Sequence, residues 1–85
     1  MGSLSKVVNI GKVLEQNLHD IGIDTIEELK QKGSQKAWLE IKKKVDPTAC
    51  INQLYALEGA VQGIRWHDLD EKSKIECKDF FEIYK

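Results

Sequence analysis

The chain has 85 residues, 41 % hydrophobic and 32 % charged, the balance of one small globular domain rather than of a disordered or fibrous chain. Thirteen Lys and Arg against fourteen Asp and Glu give a net charge of −1 and a pI of about 6.1, which excludes a generally basic nucleic-acid binder but not a local basic patch. No apolar run approaches the ~20 residues of a membrane span, and MGSLSK carries no signal-peptide pattern, so the cytoplasm is the expected location.

Residues 1–6 read as a flexible or cloning-derived lead-in. From Gly11 to Ile21, Leu14, Leu18 and Ile21 fall at i, i+4 and i+7, one face of a helix that Gly22 stops. A short second helix follows, with Asp24 or Thr25 as cap, Glu27 or Glu28 three residues on, and Ile26 and Leu29 facing inward. Gly33 closes it and Ser34 opens a third helix, in which Trp38, Ile41 and Val45 share a stripe while Lys36, Glu40, Lys43 and Lys44 face water. Asp46-Pro47 is the sharpest boundary and is expected to cap and open the fourth and longest helix. There Cys50, Leu54, Leu57, Val61 and Ile64 form the main stripe, and Ala56, Gly59, Ala60 and Gly63 form a small-residue face for close backbone approach. Each glycine inside a helix costs ~1 kcal/mol relative to alanine, so that face needs a packing reason. A turn over Arg65–Asp70 leads to a last helix, capped either by Asp68 with Glu71 or by Asp70, with Cys77, Phe80, Phe81 and Tyr84 on its apolar side. No stretch alternates apolar and polar residues for six positions, so strands are not expected. The reading is an all-α, compact five-helix bundle forming a single domain over residues 1–85.

The segment VVNIGKVLEQNLHDIGIDTIEELKQKG has the layout of a helix-hairpin-helix unit. In such a unit an apolar residue sits between two turn residues, and the following helix start offers free N–H groups and its positive dipole end to a DNA phosphate. The turn here is Asn9-Ile10-Gly11, with Ile10 as anchor and Lys12 the first basic residue after it. Asn tolerates the left-handed conformation that the first turn position needs, and Val13 occupies a place where such motifs often carry Lys.

The hairpin and the stretch INQLYALEGAVQGIRWHDLDEKSK together resemble the C-terminal domain of the TfoX/Sxy family. The signature is YALEGA-x-x-G-I-x-W, here Tyr55 to Ala60, Gly63, Ile64 and Trp66, and the resemblance covers roughly residues 7 to 82. It implies a helix-hairpin-helix-like domain of bacterial proteins that regulate transformation competence through transcription, with no enzymatic activity. The length is that of one such domain.

Charge is unevenly distributed. Residues 30 to 44 hold Lys30, Lys32, Lys36, Lys42, Lys43 and Lys44 against Glu40 alone, a local +5, whereas residues 66 to 85 carry −2. The cluster can neutralise phosphates in a salt-dependent way, or it is a solvated helix face. Lysines without the guanidinium fork favour sequence-independent contact. The first functional expectation is therefore weak nucleic-acid binding through Asn9, Ile10, Gly11 and Lys12 together with these six lysines. The second is a protein-interaction or self-association module, because Phe80, Phe81, Ile83 and Tyr84 cannot all point inward.

Other features carry less. Cys50 and Cys77 have no CxxC spacing and the two histidines are scattered, so no disulfide scaffold, metal site or cofactor is implied. Trp38 belongs to the core stripe, Trp66 is expected to plug the bundle rather than sit at a partner surface, and Glu58 lies at a rim or pairs with Arg65 or Lys6. His67-Asp68 has no nucleophile motif around it, so neither catalytic residues nor a small-molecule substrate is expected.

Overall fold

The computed structural model describes residues 4–85 and, at Ser5, the backbone only. Among the described residues there are five α-helices and no strand, as the periodicity predicts. A 3-10 turn, Leu4–Lys6, precedes α1 (Lys12–Asp20), α2 (Ile26–Lys32), α3 (Ser34–Lys44) and α4 (Ile51–Gln62). A second 3-10 turn, Trp66–Asp68, leads into α5 (Glu71–Tyr84). None of these helices is long and apolar enough to cross a membrane.

The flexible lead-in expected over residues 1–6 is corrected for its second half. Leu4 is fully buried in the core cluster, and burying a leucine contributes ~1.5–3 kcal/mol, enough to hold a short turn in place. Residues 1–3 lie outside the described part.

Local signals set the first two helices. Ile23 N–H bonds back to Leu18 O and Gly22 N–H to His19 O, with Gly22 at φ +87°, the reversal that only glycine makes without strain. Leu18 and Ile23 are both buried across this turn. Thr25 is the cap of α2: its hydroxyl accepts from Glu28 N–H at 3.1 Å while the Glu28 carboxylate accepts from Thr25 N–H at 3.1 Å.

The expected start of α4 is also corrected. Asp46 does not cap a helix opened by Pro47; its Oδ1 accepts from Thr48 N at 2.9 Å and Thr48 Oγ1 at 2.6 Å, closing a turn over the proline. Those bonds hold the Asp46 carboxyl below its usual range. Helix α4 begins at Ile51 with Cys50 in front of it, so Cys50 is exposed rather than on the core stripe. At the other end Gly63 is not part of a packing face. It lies in the left-handed region at φ +78° and terminates α4, with Ile64 N–H bonded to Gly59 O.

Helices α3 and α4 run antiparallel. Ser34, opening α3, donates to Glu58 late in α4, whereas Trp38 Nε1 donates at 3.1 Å to Cys50 O just before α4. Helix α5 folds back over both. Ser73 near its start meets Gln62 at 2.9 Å, and Phe80 and Phe81 lie against Trp38 with ring centroids at 6.0 and 5.5 Å. Asp70, rather than Asp68, caps α5 by accepting from Ser73 N–H at 2.8 Å, and that bond lowers its pKa. Trp38, fully buried, is thus the point where α3, α4 and α5 close.

The two cysteines end in opposite environments. Burial, with Glu58 and Glu76 adding like charge, pushes the Cys77 thiol up to about 12, while Cys50 stands in solvent. Iodoacetamide on the folded protein at neutral pH is expected to give a single adduct at Cys50 by intact-mass and peptide analysis. The Cys77 adduct appears only in denaturant, because the thiolate is the nucleophile. Equal labelling of both in native buffer would contradict this arrangement.

Candidate nucleic-acid interface

The hairpin turn has the backbone its sequence requires. Asn9 is the only described non-glycine residue at positive φ, +72°, and Ile10 is buried beneath it with its N–H bonded to Val7 O at 3.2 Å. The Asn9 side chain turns inward, away from any phosphate. Its Nδ2 donates to Ile64 O at 2.9 Å and Ala56 O at 3.4 Å, and its Oδ1 accepts from Trp66 N–H at 3.2 Å. One asparagine therefore ties the hairpin to the end of α4 and to the turn after it. Gly59 makes the approach possible, since a Cβ there would collide with Asn9 Nδ2 and lie 2.8 Å from Ile64 O.

Replacing Asn9 with the glycine usual at such turns relieves the left-handed backbone but removes these bonds. Each is worth ~1 kcal/mol net, and the half-buried partners lose their satisfaction as well. Asn9→Gly is expected to lower stability by about 1–2 kcal/mol in denaturant titration; a rise in stability would show that the backbone dominates.

Beyond Asn9 the turn faces outward. Gly11 precedes α1 at φ −89°, ψ −177°, an extended conformation open to any residue, and a Cβ there would meet nothing within 4 Å. No side chain caps the first turn of α1, and Lys12 and Val13 are exposed, Val13 at 76 %. Uncapped N–H groups at a helix start, with a lysine beside them and room above a glycine, can donate to an anionic oxygen.

The lysine cluster is not continuous with this turn. Lys42 Nζ donates at 3.1 Å to Pro47 O, so the Lys42–Lys44 end of α3 lies at the start of α4, whereas the hairpin contacts its last two turns. The 12 residues of α4 separate them by roughly 18 Å at 1.5 Å per residue. Lys32 and Lys36 line a groove of about 410 Å³ with Gly22 and Ile23, past the end of α1 opposite the hairpin. Lys32 and Lys44 both pair with Glu40, and the Lys32 hydrogen bond holds the Glu40 carboxyl below its usual value. Lys30, Lys36 and Lys43 stay exposed.

What lies beside the hairpin is instead the turn after α4. Val8, Asn9, Arg65, Trp66 and His67 line a groove of about 260 Å³. Glu58 is not paired with Arg65 or Lys6: it accepts from Ser34 Oγ and, at 2.6 Å, from Gln62 Nε2. Arg65 is exposed and makes no ion pair among the described residues. Trp66 packs on the core as expected of a plug, stacked on Tyr55 at 5.9 Å, and also lines the groove. The sequence signal for this groove is faint, the run Arg65-Trp66-His67 at the end of the signature, and its contact with Asn9 spans 57 residues.

On α5, Phe80 and Phe81 are half-buried against Trp38, whereas Ile83 and Tyr84 are exposed at 72 and 41 %. Ile75, absent from the sequence expectation, is 52 % exposed. No group of three or more His, Cys, Asp or Glu suited to a metal occurs among the described residues.

No curated protein matches the chain. Solved structures do, among them two of proteins from Listeria monocytogenes. The triclinic crystal form of an uncharacterized protein is 57 % identical with a TM-score of 0.91, over 94 % of this chain and 90 % of that one. The tetragonal form of a protein of unknown function is 56 % identical with a TM-score of 0.91, over 96 % and 100 % of the two chains. The family model described as the TfoX C-terminal domain matches residues 1–81, and with the hairpin stitched to the signature helix through Asn9 and Gly59, the chain belongs to the TfoX C-terminal domain family.

Proposed function

We propose that this domain is a non-catalytic module that binds duplex DNA weakly and without sequence preference. The phosphate is held by the uncapped N–H groups after Gly11 with Lys12 beside them, and the separate lysines of α2 and α3 add diffuse attraction. The observation that carries this reading is Gly11 itself. As the N-cap of α1 it puts no side chain over the N–H groups of the first turn, and the space where its Cβ would be is open. That leaves room for a phosphate oxygen to approach the helix start. We place the module in the cytoplasm, serving the transcription-linked competence control of its family.

The test uses Gly11→Asp and Gly11→Ser with fluorescence anisotropy on labelled duplex DNA. Both residues are better helix caps than glycine, so stability holds or rises. Both fill the amides, and the aspartate also repels phosphate. Wild type is expected to bind with Kd in the ~10⁻⁴–10⁻⁶ M range of non-specific contacts, weakening roughly tenfold or more between ~50 and ~200 mM salt. Gly11→Asp is expected to lose most of that affinity and Gly11→Ser part of it. Absence of binding at ~50 mM salt, or insensitivity to salt, would overturn the reading.

A second reading, self-association, is favoured by the exposed Ile83 and Tyr84 at the end of α5 together with Ile75. Sedimentation equilibrium over a range of concentrations decides it, and a monomer at millimolar concentration removes it.

A further inference from the structure

The groove beside the hairpin has a chemistry that the phosphate contact does not use. At about 260 Å³ it falls below the ~300–1,000 Å³ of pockets that enclose a small ligand, so it suits one part of a larger one. Trp66 and His67 give it two planar walls and Arg65 a positive charge, with Tyr55 packed on Trp66 outside the lining. Tyr55 and Trp66 stack at 5.9 Å with 12° between planes, and Trp66 and His67 at 3.9 Å with 28°. Tyr55 and His67 thus both pack on Trp66, and His67 is exposed next to the exposed Arg65. Asn9 fixes the backbone at Ile64 O and Trp66 N–H, so the main chain that carries Trp66 is held before any ligand arrives.

Exposed rings and an unpaired guanidinium next to a phosphate contact are the means by which proteins hold the bases of single-stranded nucleic acid. Bases in a continuous duplex are stacked on each other and cannot present a face to such rings. We propose that the Arg65–His67 groove takes an unpaired base of single-stranded DNA whose neighbouring phosphate sits at the hairpin, so that the domain prefers duplex ends and junctions carrying single strands over uninterrupted duplex. The proposal rests on the hairpin reading above and adds to it the form of DNA that is bound.

Three labelled DNAs test it by anisotropy: a blunt duplex, the same duplex with a short single-stranded thymidine overhang, and the thymidine strand alone. The overhang duplex is expected to bind about tenfold tighter than the blunt one, as the stacking of one or two bases provides. His67→Ala is expected to abolish that preference and leave blunt-duplex affinity unchanged; Arg65→Gln is expected to reduce the preference. Of the chain's two tryptophans Trp38 is fully buried, so quenching of emission by the overhang DNA reports Trp66, and it is expected to vanish in Trp66→Phe. Equal affinity for blunt and overhang duplexes, with blunt binding intact, overturns the groove proposal and leaves the hairpin reading standing. Persistence of the preference in His67→Ala also overturns it. Overhang binding that needs His67 but survives Gly11→Asp undamaged overturns the hairpin reading and the placement of the neighbouring phosphate there, leaving the groove as the base site, and no binding of any of the three DNAs overturns both.

Discussion

Gly59→Ala is expected to destabilise the domain by about 2–4 kcal/mol, although the same change inside an ordinary helix stabilises by ~1 kcal/mol. The sign reverses because of what the new methyl would meet. It would collide with Asn9 Nδ2 and stand 2.8 Å from Ile64 O and 3.1 Å from Trp66 Cα. Two of those three atoms are backbone, so rotation of a flexible side chain cannot make room for them. If Asn9 swings away instead, its bonds to Ile64 O and Trp66 N–H are lost, each worth ~1 kcal/mol before the cost of leaving partners unsatisfied. Overpacking of this kind costs ~1–3 kcal/mol on its own, more than the helix propensity gained. Against a total stability of ~5–15 kcal/mol the midpoint of thermal unfolding followed by circular dichroism falls visibly. An unchanged or raised midpoint would mean that hairpin and α4 are not in contact as described. Asn9→Gly combined with Gly59→Ala separates the causes: with the Asn9 side chain absent, the alanine clashes only with backbone, and the double variant is expected to lose less than the two single losses added together.

The same pair of residues marks the limit of what was legible in the sequence. Elements held by local chemistry could be read directly. Gly22 ends α1, the cap of α2 is narrowed to Asp24 or Thr25 with Glu27 or Glu28, and Ser34 begins α3, because each signal and its partner lie within a few residues. Asp46 misled because an aspartate before Pro-Thr can close a turn as well as cap a helix, and nothing local decides between them. At the candidate site, Asn9-Ile10-Gly11 was visible as a turn triplet and its left-handed Asn9 followed from residue type. That the Asn9 side chain faces inward was not visible, since its partners lie 47 to 57 residues away. Glu58 shows the same limit in electrostatic form. By sequence it lies at a rim or pairs with Arg65 or Lys6, yet tertiary packing offers it Ser34 and Gln62, and Arg65 is thereby left to the groove. The six lysines form one cluster by position in the chain and separate groups in space, because α3 runs the length of α4.

The largest loss is expected at Trp38. Truncation to alanine removes the fully buried ring from the contact of α3, α4 and α5 and leaves the half-buried Phe80 and Phe81 without the surface they pack on. Large-to-small changes of this type cost ~3–5 kcal/mol, and the Cys50 carbonyl also loses its indole donor, adding ~1 kcal/mol. Together these approach the lower part of the stability range of a domain this size, so Trp38→Ala is expected to be largely unfolded at room temperature. Trp38→Phe keeps an aromatic surface for Phe80 and Phe81 but cannot donate to Cys50 O, and it is expected to fold with a loss of about 1–2 kcal/mol. The difference between the two variants separates packing from hydrogen bonding, and urea titration of each gives it directly. Equal losses would place the hydrogen bond to Cys50 O at the centre of the junction, and a stable Trp38→Ala would show that α5 does not depend on this tryptophan. Because Trp38 lies at the opposite end of α4 from Asn9, Trp38→Phe is expected to leave the hairpin and the proposed DNA contact unchanged, whereas Gly59→Ala alters both.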